Sequence, residues 1–374
     1  MNLFKPLNSE TCLELESLGQ ALDKTLKPRS AHLKKLPLDI ADLSFILTEG
    51  RDELVRPYWS EARLKAAYLW YFMPWNMVRL APLVAGLPLG LKEGDKILDL
   101  GSGPLTLPLV LWFARPDLRT QKLFFYCNDT QLTPLQSGLA LFNQLAGENS
   151  TWEIKFHKGS LNDALKRAKG SGFALISALN VLNEIRPGRH EGLAHLVAGL
   201  VGEMKAGLEP EGSLLLVEPG NRLGGKIIEL AREAALKRKL FPASPCPHSL
   251  ECPMLSPAQK TWCHFINEHP QAPDWLVRLS QAAGLDKTHT ALSFVLLNAK
   301  KKNDDAGAAG LTGRIVSNPF QVPGQPGLCR YSCTSGGLVL VPGAERHASG
   351  KELRLEVKTS ALDIKTGLRI ATII

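Results

Sequence analysis

From about residue 95 to residue 220, short apolar runs alternate with stretches of helical periodicity. Strands that alternate with helices in this way predict a parallel sheet with helices on both faces, that is, an α/β fold of Rossmann type. The ligand site of such a sheet lies at the carboxyl ends of its strands. The predicted segments are Lys96–Leu100, Thr106–Phe113, Leu123–Cys127, Leu135–Leu145, Ile154–His157, Leu161–Ala168, Ala174–Ala178, Gly192–Lys205 and Ser213–Glu218.

The pattern differs on either side of this region. Before it, a dense apolar and aromatic block, Ala66–Met73, belongs to a helical region, and we expect the block to serve packing. Pro74 interrupts it, and Pro82 is expected to break the stretch that follows. After it, Lys300–Gly310 has the composition of a flexible linker. Four short apolar runs then predict a small antiparallel β unit: Arg314–Val316, Gly327–Ser332, Leu338–Val341 and Leu353–Lys358.

These changes of pattern divide the chain into five parts. They are an N-terminal helical region (1–94), the Rossmann-type domain (95–240), a cysteine-rich segment with late sheet elements (241–298), the linker (299–312) and the small β unit (313–374).

Composition narrows the expected partners and location. The 374 residues carry a net charge of +8, which suits an RNA or ribosome partner, although an ordinary basic surface gives the same value. No apolar run approaches the roughly 18 residues of a membrane span, and no signal peptide is recognisable. Glu10, Glu14 and Glu16 do not suit an acid-poor mitochondrial presequence. We therefore expect a monomer in a bacterial-type cytoplasm, without a membrane partner, rather than a mitochondrial matrix protein.

The first predicted strand ends in a glycine turn. Gly101 and Gly103, with Ser102 between them, permit a tight turn and close approach of a ligand. The dinucleotide pattern is incomplete because Thr106 occupies its third glycine position. A short loop without a phosphate cradle suits S-adenosylmethionine, which carries a carboxylate and no phosphate. We predict that Asp99 lies near the methionine ammonium, directly or through water. A glycine-rich turn in another α/β protein is the alternative.

Polar residues follow the next three strands. Asp129, with Asn128 beside it, is predicted to accept both ribose hydroxyls, although either residue also suits a helix cap. Ser160 and Leu161 are predicted to border the adenine.

The fourth strand leads to Asn180, Asn183 and Glu184, which are the candidates for lining the methyl-transfer site. Asn180 is also a candidate cofactor contact, and all three suit helix capping equally. An N-P-P-Y signature is absent, and no general base has clear support. The sequence therefore argues for cofactor binding more firmly than for catalysis.

Three cysteines, Cys246, Cys252 and Cys263, cluster after the sheet, and Cys329 and Cys333 follow in the β unit. Four thiolates would hold a [4Fe–4S] cluster, and a structural zinc would also need four ligands, with His248 or His264 as further candidates. The spacing does not choose between these metals, and scattered free thiols are the remaining reading.

Two other readings of the cysteines are disfavoured. Pro245-Cys246 would suit the nucleophile of a pyrimidine C5 methyltransferase, but it follows the fifth strand instead of the fourth. A radical S-adenosylmethionine enzyme would need a C-x-x-x-C-x-x-C run, which is not visible.

Several motifs together resemble a known family, the methyltransferase-like small ribosomal subunit assembly proteins, with mitochondrial and bacterial members. The resemblance covers most of the chain, and its most specific part is the Cys-Pro-His … Cys-Pro … Trp-Cys-His-Phe block. The motifs are Tyr71–Pro74, Asp99–Pro104, Leu182–Glu184, Val217–Gly220, the cysteine block and Arg314–Val316.

The resemblance implies a class I methyltransferase sheet and a [4Fe–4S] cluster on Cys246, Cys252, Cys263 and Cys333. Cys333 is preferred to Cys329 because the family has Cys before Thr at a strand end, as in Cys333-Thr334. The resemblance also implies contact with small-subunit rRNA or a pre-ribosome. An rRNA methyltransferase and a non-catalytic assembly factor are both consistent with it, and a zinc-bound rRNA methyltransferase is a further alternative. Lys237–Lys239 contribute either to rRNA contact or to a solvated helix face.

Overall fold

Eight strands form the central sheet of the computed structural model, which describes residues 2–28, 30–48, 58–147, 150–185, 192–257, 259–301, 310–364 and 366–374. Residues 302–309 of the predicted linker lie outside the described residues. The strands are β1 (Lys96–Leu100), β2 (Phe124–Asp129), β3 (Glu153–Lys158), β4 (Phe173–Leu179), β5 (Leu208–Pro219), β6 (Phe241–Ser244), β7 (Phe265–Asn267) and β8 (Thr290–Asn298).

The strand order in this sheet is β3-β2-β1-β4-β5-β8-β6, with β7 also paired to β8. Strands β1 to β5 are parallel, whereas β8 is antiparallel to β5. This is the order of a Rossmann-type class I methyltransferase sheet, so the predicted fold class is confirmed. The chain reverses its direction of strand addition between β1 and β4, which places a crevice at the carboxyl ends of these two strands.

Helices cover both faces of the sheet because its central strands are apolar on both sides; every residue of β4 is buried. One core layer includes residues of α4, α5 and α6, and the other those of α7, α8 and α9. The helices are α1 (Ser9–Leu26), α2 (Ser30–Thr48), α3 (Ala62–Ala67), α4 (Met73–Gly86), α5 (Thr106–Ala114), α6 (Leu132–Ala146), α7 (Leu161–Ala168), α8 (Leu193–Gly207), α9 (Arg222–Leu236) and α10 (Asp274–Ala282).

The N-terminal aromatic block is continuous helical structure. Between α3 and α4 the chain makes a π-helical turn, Tyr68–Phe72, a feature that is frequent at functional sites. Pro74 lies in the first turn of α4, where a missing N–H is tolerated. The prediction that Pro82 breaks the following stretch is wrong, because α4 continues through Pro82 to Gly86. None of the described helices combines the length and apolar character of a membrane span.

The C-terminal strands form a small barrel. They are β9 (Leu311–Ile315), β10 (Phe320–Gln321), β11 (Leu328–Thr334), β12 (Gly337–Val341), β13 (Glu352–Leu362) and β14 (Arg369–Ile373). The order is β10-β11-β12-β14-β13-β9, and a further β11–β9 pairing closes the ring. The β unit was expected to be antiparallel throughout, but β14 lies between β12 and β13 and is parallel to β12.

Candidate functional site

A cavity of about 230 Å³ lies at the carboxyl ends of β1, β2 and β4. A larger cleft of about 1080 Å³ adjoins it, and Tyr58, Tyr68, Asn76, Asn180 and Glu184 line both spaces. We call the smaller space the inner cavity and the larger one the outer cleft. The inner cavity is also lined by Trp59, Gly101, Ser102, Gly103, Thr106, Asn128, Asp129, Thr130, Gln131, Leu161, Leu179 and Val181.

The glycine turn forms one wall of the inner cavity. Gly101 and Gly103 have φ values of +62° and +53°, which residues other than glycine rarely adopt. A Cβ atom on Gly101 would lie 2.4 Å from Cγ2 of Val181, so glycine is required there for space as well as for conformation. Leu105 is fully buried close to Gly138 of α6 and does not line the cavity.

Asp99 lies beneath the glycine turn and does not line the cavity. It is 1% exposed, and both carboxylate oxygens are engaged. Oδ2 accepts from the Ser102 hydroxyl at 2.5 Å, and Oδ1 accepts from the Ser177 hydroxyl at 2.6 Å. Burial raises the pKa of Asp99 to about 6, although the two hydroxyls lower it. This geometry gives Asp99 the task of fixing the turn to β4.

Asp129, by contrast, lines the cavity at the end of β2. Its Oδ2 accepts the Gly103 N–H at 3.1 Å and its Oδ1 accepts the Gln131 N–H at 2.9 Å, and burial raises its pKa. Oδ1 also accepts the Thr130 hydroxyl at 3.5 Å, whereas Oδ2 retains a second lone pair for a ligand. The neighbouring Asn128 has a structural task, because its amide nitrogen donates to the carbonyls of His157 and Gly159.

Of the two residues predicted to border the adenine, only one lines the inner cavity. Ser160 is exposed, caps α7 together with Asp163 and does not line the inner cavity, whereas Leu161 does.

The loop after β4 presents its three candidates to the cleft. Asn180 has a φ of +58°, and its Oδ1 accepts from Nη2 of Arg79 at 2.8 Å. Asn183 lines the outer cleft, and its side-chain oxygen is buried without a hydrogen-bond partner among the described residues. The exposed Glu184 lines both spaces.

A fully buried carboxylate, Glu218 at the end of β5, holds this loop. It accepts the N–H groups of Leu182 and Asn183 at 2.9 and 3.3 Å, and burial raises its pKa to about 8.

The N-terminal region contributes residues that the sequence reading missed. The rings of Tyr58 and Tyr68 stack with centroids 5.7 Å apart, and those of Tyr68 and Phe72 with centroids 5.9 Å apart. All three half-buried rings line the outer cleft, so the aromatic block does more than pack. The i, i+4 spacing of Tyr68 and Phe72 on one helical face was the available signal. Arg79, which binds Asn76 and Asn180, had no comparable signal.

The predicted cysteine ligands meet in a second, enclosed space. Cys246, Cys252, Cys263 and Cys333 all line one cavity of about 30 Å³, which we call the cysteine cavity. Cys329 instead packs with Val322 and Leu340 inside the barrel unit. His248 also lines the cysteine cavity, with Nε2 3.5 Å from the sulfur of Cys333. His264 does not line it and stacks on Trp262.

Charged residues of α9 hold the cysteine loop. Arg232 donates to the Cys246 sulfur at 3.2 Å and to the carbonyls of His248 and Leu250 at 3.1 and 2.5 Å. Glu229 accepts the Cys263 N–H, and Glu233 accepts the Cys252 N–H, each at 2.8 Å. All three are helix residues with i, i+3, i+4 spacing and were missed because their partners lie in a distant loop.

Arg314 of β9 fastens the barrel to the same loop. It donates to the Pro245 carbonyl at 2.8 Å and to the Gly350 carbonyl at 2.8 Å, and it pairs with Glu352 at 2.5 Å. Strand β9 pairs Arg314 with Cys333, so this contact sets the position of the fourth thiol over the cavity.

The donor set of this cavity suits two kinds of metal group. Tetrahedral zinc takes thiolate ligands with Zn–S bonds of about 2.3 Å, and a [4Fe–4S] cluster takes four thiolates. Within the part of the chain that the structure describes, no group of three or more His, Cys, Asp or Glu side chains is arranged to hold a metal ion. The structure brings four thiols to one cavity, and this arrangement does not choose between the two groups.

Comparisons with known proteins place this geometry in context. The sequence profile of the family described as "Mitochondrial small ribosomal subunit Rsm22" matches residues 194–336, a segment that contains all four cysteines of the cysteine cavity. No curated protein matches the chain significantly.

Solved structures show weak overall likeness. A putative sarcosine dimethylglycine methyltransferase from Galdieria sulphuraria is 14% identical over 67% of this chain and 93% of its own, with a TM-score of 0.33. A putative SAM-dependent methyltransferase from Streptococcus mutans is 10% identical over 58% and 48%, with a TM-score of 0.37. One from Agrobacterium tumefaciens is 13% identical over 61% of each chain, with a TM-score of 0.34. The fold is therefore assigned from the strand order. The match of the Rsm22 profile to residues 194–336 confirms the predicted resemblance to this family over that segment.

Proposed function

We propose that this chain is an S-adenosylmethionine-binding, methyltransferase-like protein that acts on small-subunit rRNA during ribosome assembly or translation. The observation that carries the cofactor assignment is the inner cavity, where the Gly101–Gly103 turn and the Asp129 carboxylate meet at the carboxyl ends of β1 and β2. The family profile, named for a small ribosomal subunit, supports the rRNA partner.

The residues have distinct tasks in this proposal. Gly101, Ser102 and Gly103 leave room for the methionine part, Asp129 accepts the ribose hydroxyls, and Leu161 borders the adenine. When bound, the cofactor supplies an electrophilic methyl group. Asp99 acts one layer below by holding the turn, so it supports the site without contacting the ligand.

The outer cleft is the proposed place for a nucleobase. Tyr58, Tyr68 and Phe72 offer ring faces, and aromatic stacking is the usual way that proteins hold an unpaired RNA base. The unpartnered oxygen of Asn183 is an acceptor suited to an amino group on the base edge.

One contact favours the non-catalytic alternative, an rRNA-binding assembly factor. The Oδ1 atom of Asn180, a candidate for lining the methyl-transfer site, already accepts a hydrogen bond from Arg79 and keeps one lone pair for a ligand. Among the described residues that line the outer cleft, Glu184 is the only carboxylate, and it is exposed to solvent.

We further propose that Cys246, Cys252, Cys263 and Cys333 hold a [4Fe–4S] cluster with a structural task. Three ligands would come from the segment between β6 and β7 and one from the barrel, so the cluster would join the barrel to the sheet domain. The guanidinium of Arg232 beside Cys246 would offset part of the negative charge of four thiolates.

Calorimetric titration with S-adenosylmethionine tests the cofactor assignment. We expect Gly101→Ala to abolish measurable binding, because the added methyl group would collide with Val181. Gly90→Ala is the matched control: Gly90 has a similar φ of +68° but open space around a Cβ atom, so it shares the backbone strain and not the collision. Asp129→Asn provides a second variant, expected to weaken binding while folding normally by circular dichroism. Equal binding by the wild type, Gly101→Ala and Asp129→Asn would contradict the proposal.

Comparing methylation of rRNA in cells with and without the protein separates the two functional alternatives. A methyl mark that depends on the protein supports the enzyme. An unchanged set of marks, together with defective small subunits, supports the assembly factor.

A further inference from the structure

A further cavity, of about 360 Å³, lies beside the outer cleft. We call it the basic pocket. Asn76 and Arg79 line both the basic pocket and the outer cleft, so the two spaces are neighbours. The pocket is otherwise lined by Trp75, Asp286, Lys287, Thr288, His289, Thr290 and Ala291. Thr290 begins β8 just beyond the end of β5, which places the pocket at the same edge of the sheet as the outer cleft.

Two cations, Arg79 and Lys287, line this pocket, and neither is held by an ion pair within the described residues. Arg79 donates hydrogen bonds to neutral oxygens, those of the Asn76 and Asn180 side chains and the Ala291 carbonyl. Its Nε is buried and has no hydrogen-bond partner among the described residues.

Other buried arginines of the chain are treated differently. Arg232, Arg314 and Arg330 each pair with a glutamate, at 2.7, 2.5 and 2.8 Å respectively. The nearby Glu218 does not serve Arg79 in this way, since its two oxygens accept backbone N–H groups. A guanidinium held in place by neutral groups keeps its charge available to an anion.

Lys287 lines the pocket, and two aromatic rings hold its side chain in place. Its ammonium lies 5.1 Å from the ring centre of Tyr71 and 5.0 Å from that of Trp75. The rings are themselves fixed, because Tyr71 donates to the Leu285 carbonyl and Trp75 to the Ser280 hydroxyl. The hydroxyl of Thr290, a residue 7% exposed, has no hydrogen-bond partner among the described residues. The exposed Asp286 is the opposing charge on the lining, so two cations face one carboxylate.

We propose that the basic pocket binds a backbone phosphate of single-stranded RNA whose adjacent base enters the outer cleft. This inference rests on the proposed rRNA partner and adds the surface that holds the strand. A phosphate offers three acceptor oxygens and a full negative charge, which match an unpaired guanidinium, an ammonium and a hydroxyl. Because Asn76 and Arg79 line both spaces, a phosphate in the basic pocket and a base in the outer cleft would both lie next to these two residues.

Fluorescence anisotropy with a labelled 12-nucleotide single-stranded RNA of mixed sequence, measured over a series of salt concentrations, tests this. For a single strand, each neutralised phosphate contributes about 0.7 to the slope of log affinity against log salt. Lys287→Gln is expected to lower the slope by about 0.7 and Lys287→Arg to preserve it. Asp286→Asn is expected to strengthen binding, because it removes the opposing charge.

Lys155→Gln is the matched control. Lys155 is an exposed lysine over the rings of Phe124 and Tyr126, but it lies on β3 at the far edge of the sheet. Its replacement removes the same charge and a similar ring contact, and the salt slope should stay unchanged. Thermal unfolding of each variant verifies folding.

The possible results separate the inference from the function on which it rests. If the wild type does not bind the RNA, the rRNA partner and the pocket assignment both fail. If it binds but Lys287→Gln and Lys155→Gln have the same slope as the wild type, the pocket assignment alone fails. Loss of S-adenosylmethionine binding in Lys287→Gln would assign the pocket to the cofactor instead. Binding of inorganic phosphate that depends on Lys287, with an unchanged RNA slope, would assign it to a free anion and overturn the proposal.

Discussion

Arg232 donates from Nε to the sulfur of Cys246 across 3.2 Å, and through its other nitrogens it holds two carbonyls of the same loop and Glu233. This single side chain of α9 therefore holds the segment from Cys246 to Leu250 in place. Because the side chain is 97% buried, its hydrogen bonds are shielded from competing water.

Replacing this arginine should destabilise the protein. Arg232→Gln removes the hydrogen bonds to the carbonyls of His248 and Leu250 and to the Cys246 sulfur, and we expect the free energy of unfolding to fall by about 2–4 kcal/mol. Arg63→Gln is the control, because Arg63 is half exposed and its ion pairs with Asp39 and Asp42 are worth about 0–1 kcal/mol. Urea denaturation measures both. Equal losses in the two variants would contradict the assigned task of Arg232.

Metal content should follow the cysteine cavity. Cys252→Ser and Cys333→Ser are expected to lose the iron and sulfide of anaerobically purified protein together with the brown absorption, because the proposed cluster would need all four thiolates. Cys329→Ser replaces a buried cysteine outside the cavity and should retain both elements. Zinc in place of iron, or equal loss in Cys329→Ser, would refute the cluster assignment.

Asp99 should make stability depend on pH in an unusual direction. Its pKa is raised from 3.8 to about 6, so the folded state binds a proton more tightly than the unfolded state does. Stability from this group is therefore fully present below pH 4 and is lost as the pH rises to about 6, with a total change of about 3 kcal/mol. Asp99→Asn should remove this contribution. The free energy of unfolding of the variant should therefore rise relative to that of the wild type between pH 4 and pH 7. Denaturation curves of the two proteins that stay parallel over this range would show an ordinary pKa.

Two glycines of neighbouring helices should respond oppositely to alanine. A Cβ atom on Gly225 of α9 would lie 2.5 Å from Cδ1 of Trp262, the residue before Cys263, whereas one on Gly199 of α8 would meet nothing within 4 Å. We expect Gly225→Ala to lower the melting temperature by displacing Trp262. Gly199→Ala should raise the free energy of unfolding by about 0.5–1 kcal/mol through helix propensity. A neutral Gly225→Ala would mean that Trp262 moves freely.

The sheet could be predicted because its strands are buried on both faces and thus appear as continuous apolar runs, as in Phe173–Leu179. Strand β14 was missed because it is five residues long and only one of its residues is buried. Its parallel partner β12 is separated from it in the sequence by β13. A pairing between strands that are not consecutive cannot be predicted from local patterns.

The candidate site was predicted to a different degree at each residue. The spacing from β1 to its turn identified Gly101 and Gly103, but it did not show that Ser177 of β4 occupies the second oxygen of Asp99. Arg79 lies among the apolar residues of α4, and its partners are about 100 and 200 residues away. Side chains that act through such distant contacts leave no periodic signal.

The position of β14 in the barrel has a consequence for biosynthesis. Strands β12 and β13 are joined through β14, which is the last barrel strand in chain order. Because translation proceeds from the N-terminus, the ring between these strands closes only after Arg369–Ile373 has been made. Cys246, Cys252 and Cys263 are therefore synthesised long before the barrel that carries Cys333 is complete. During this stage of synthesis the barrel does not yet cover these three thiols.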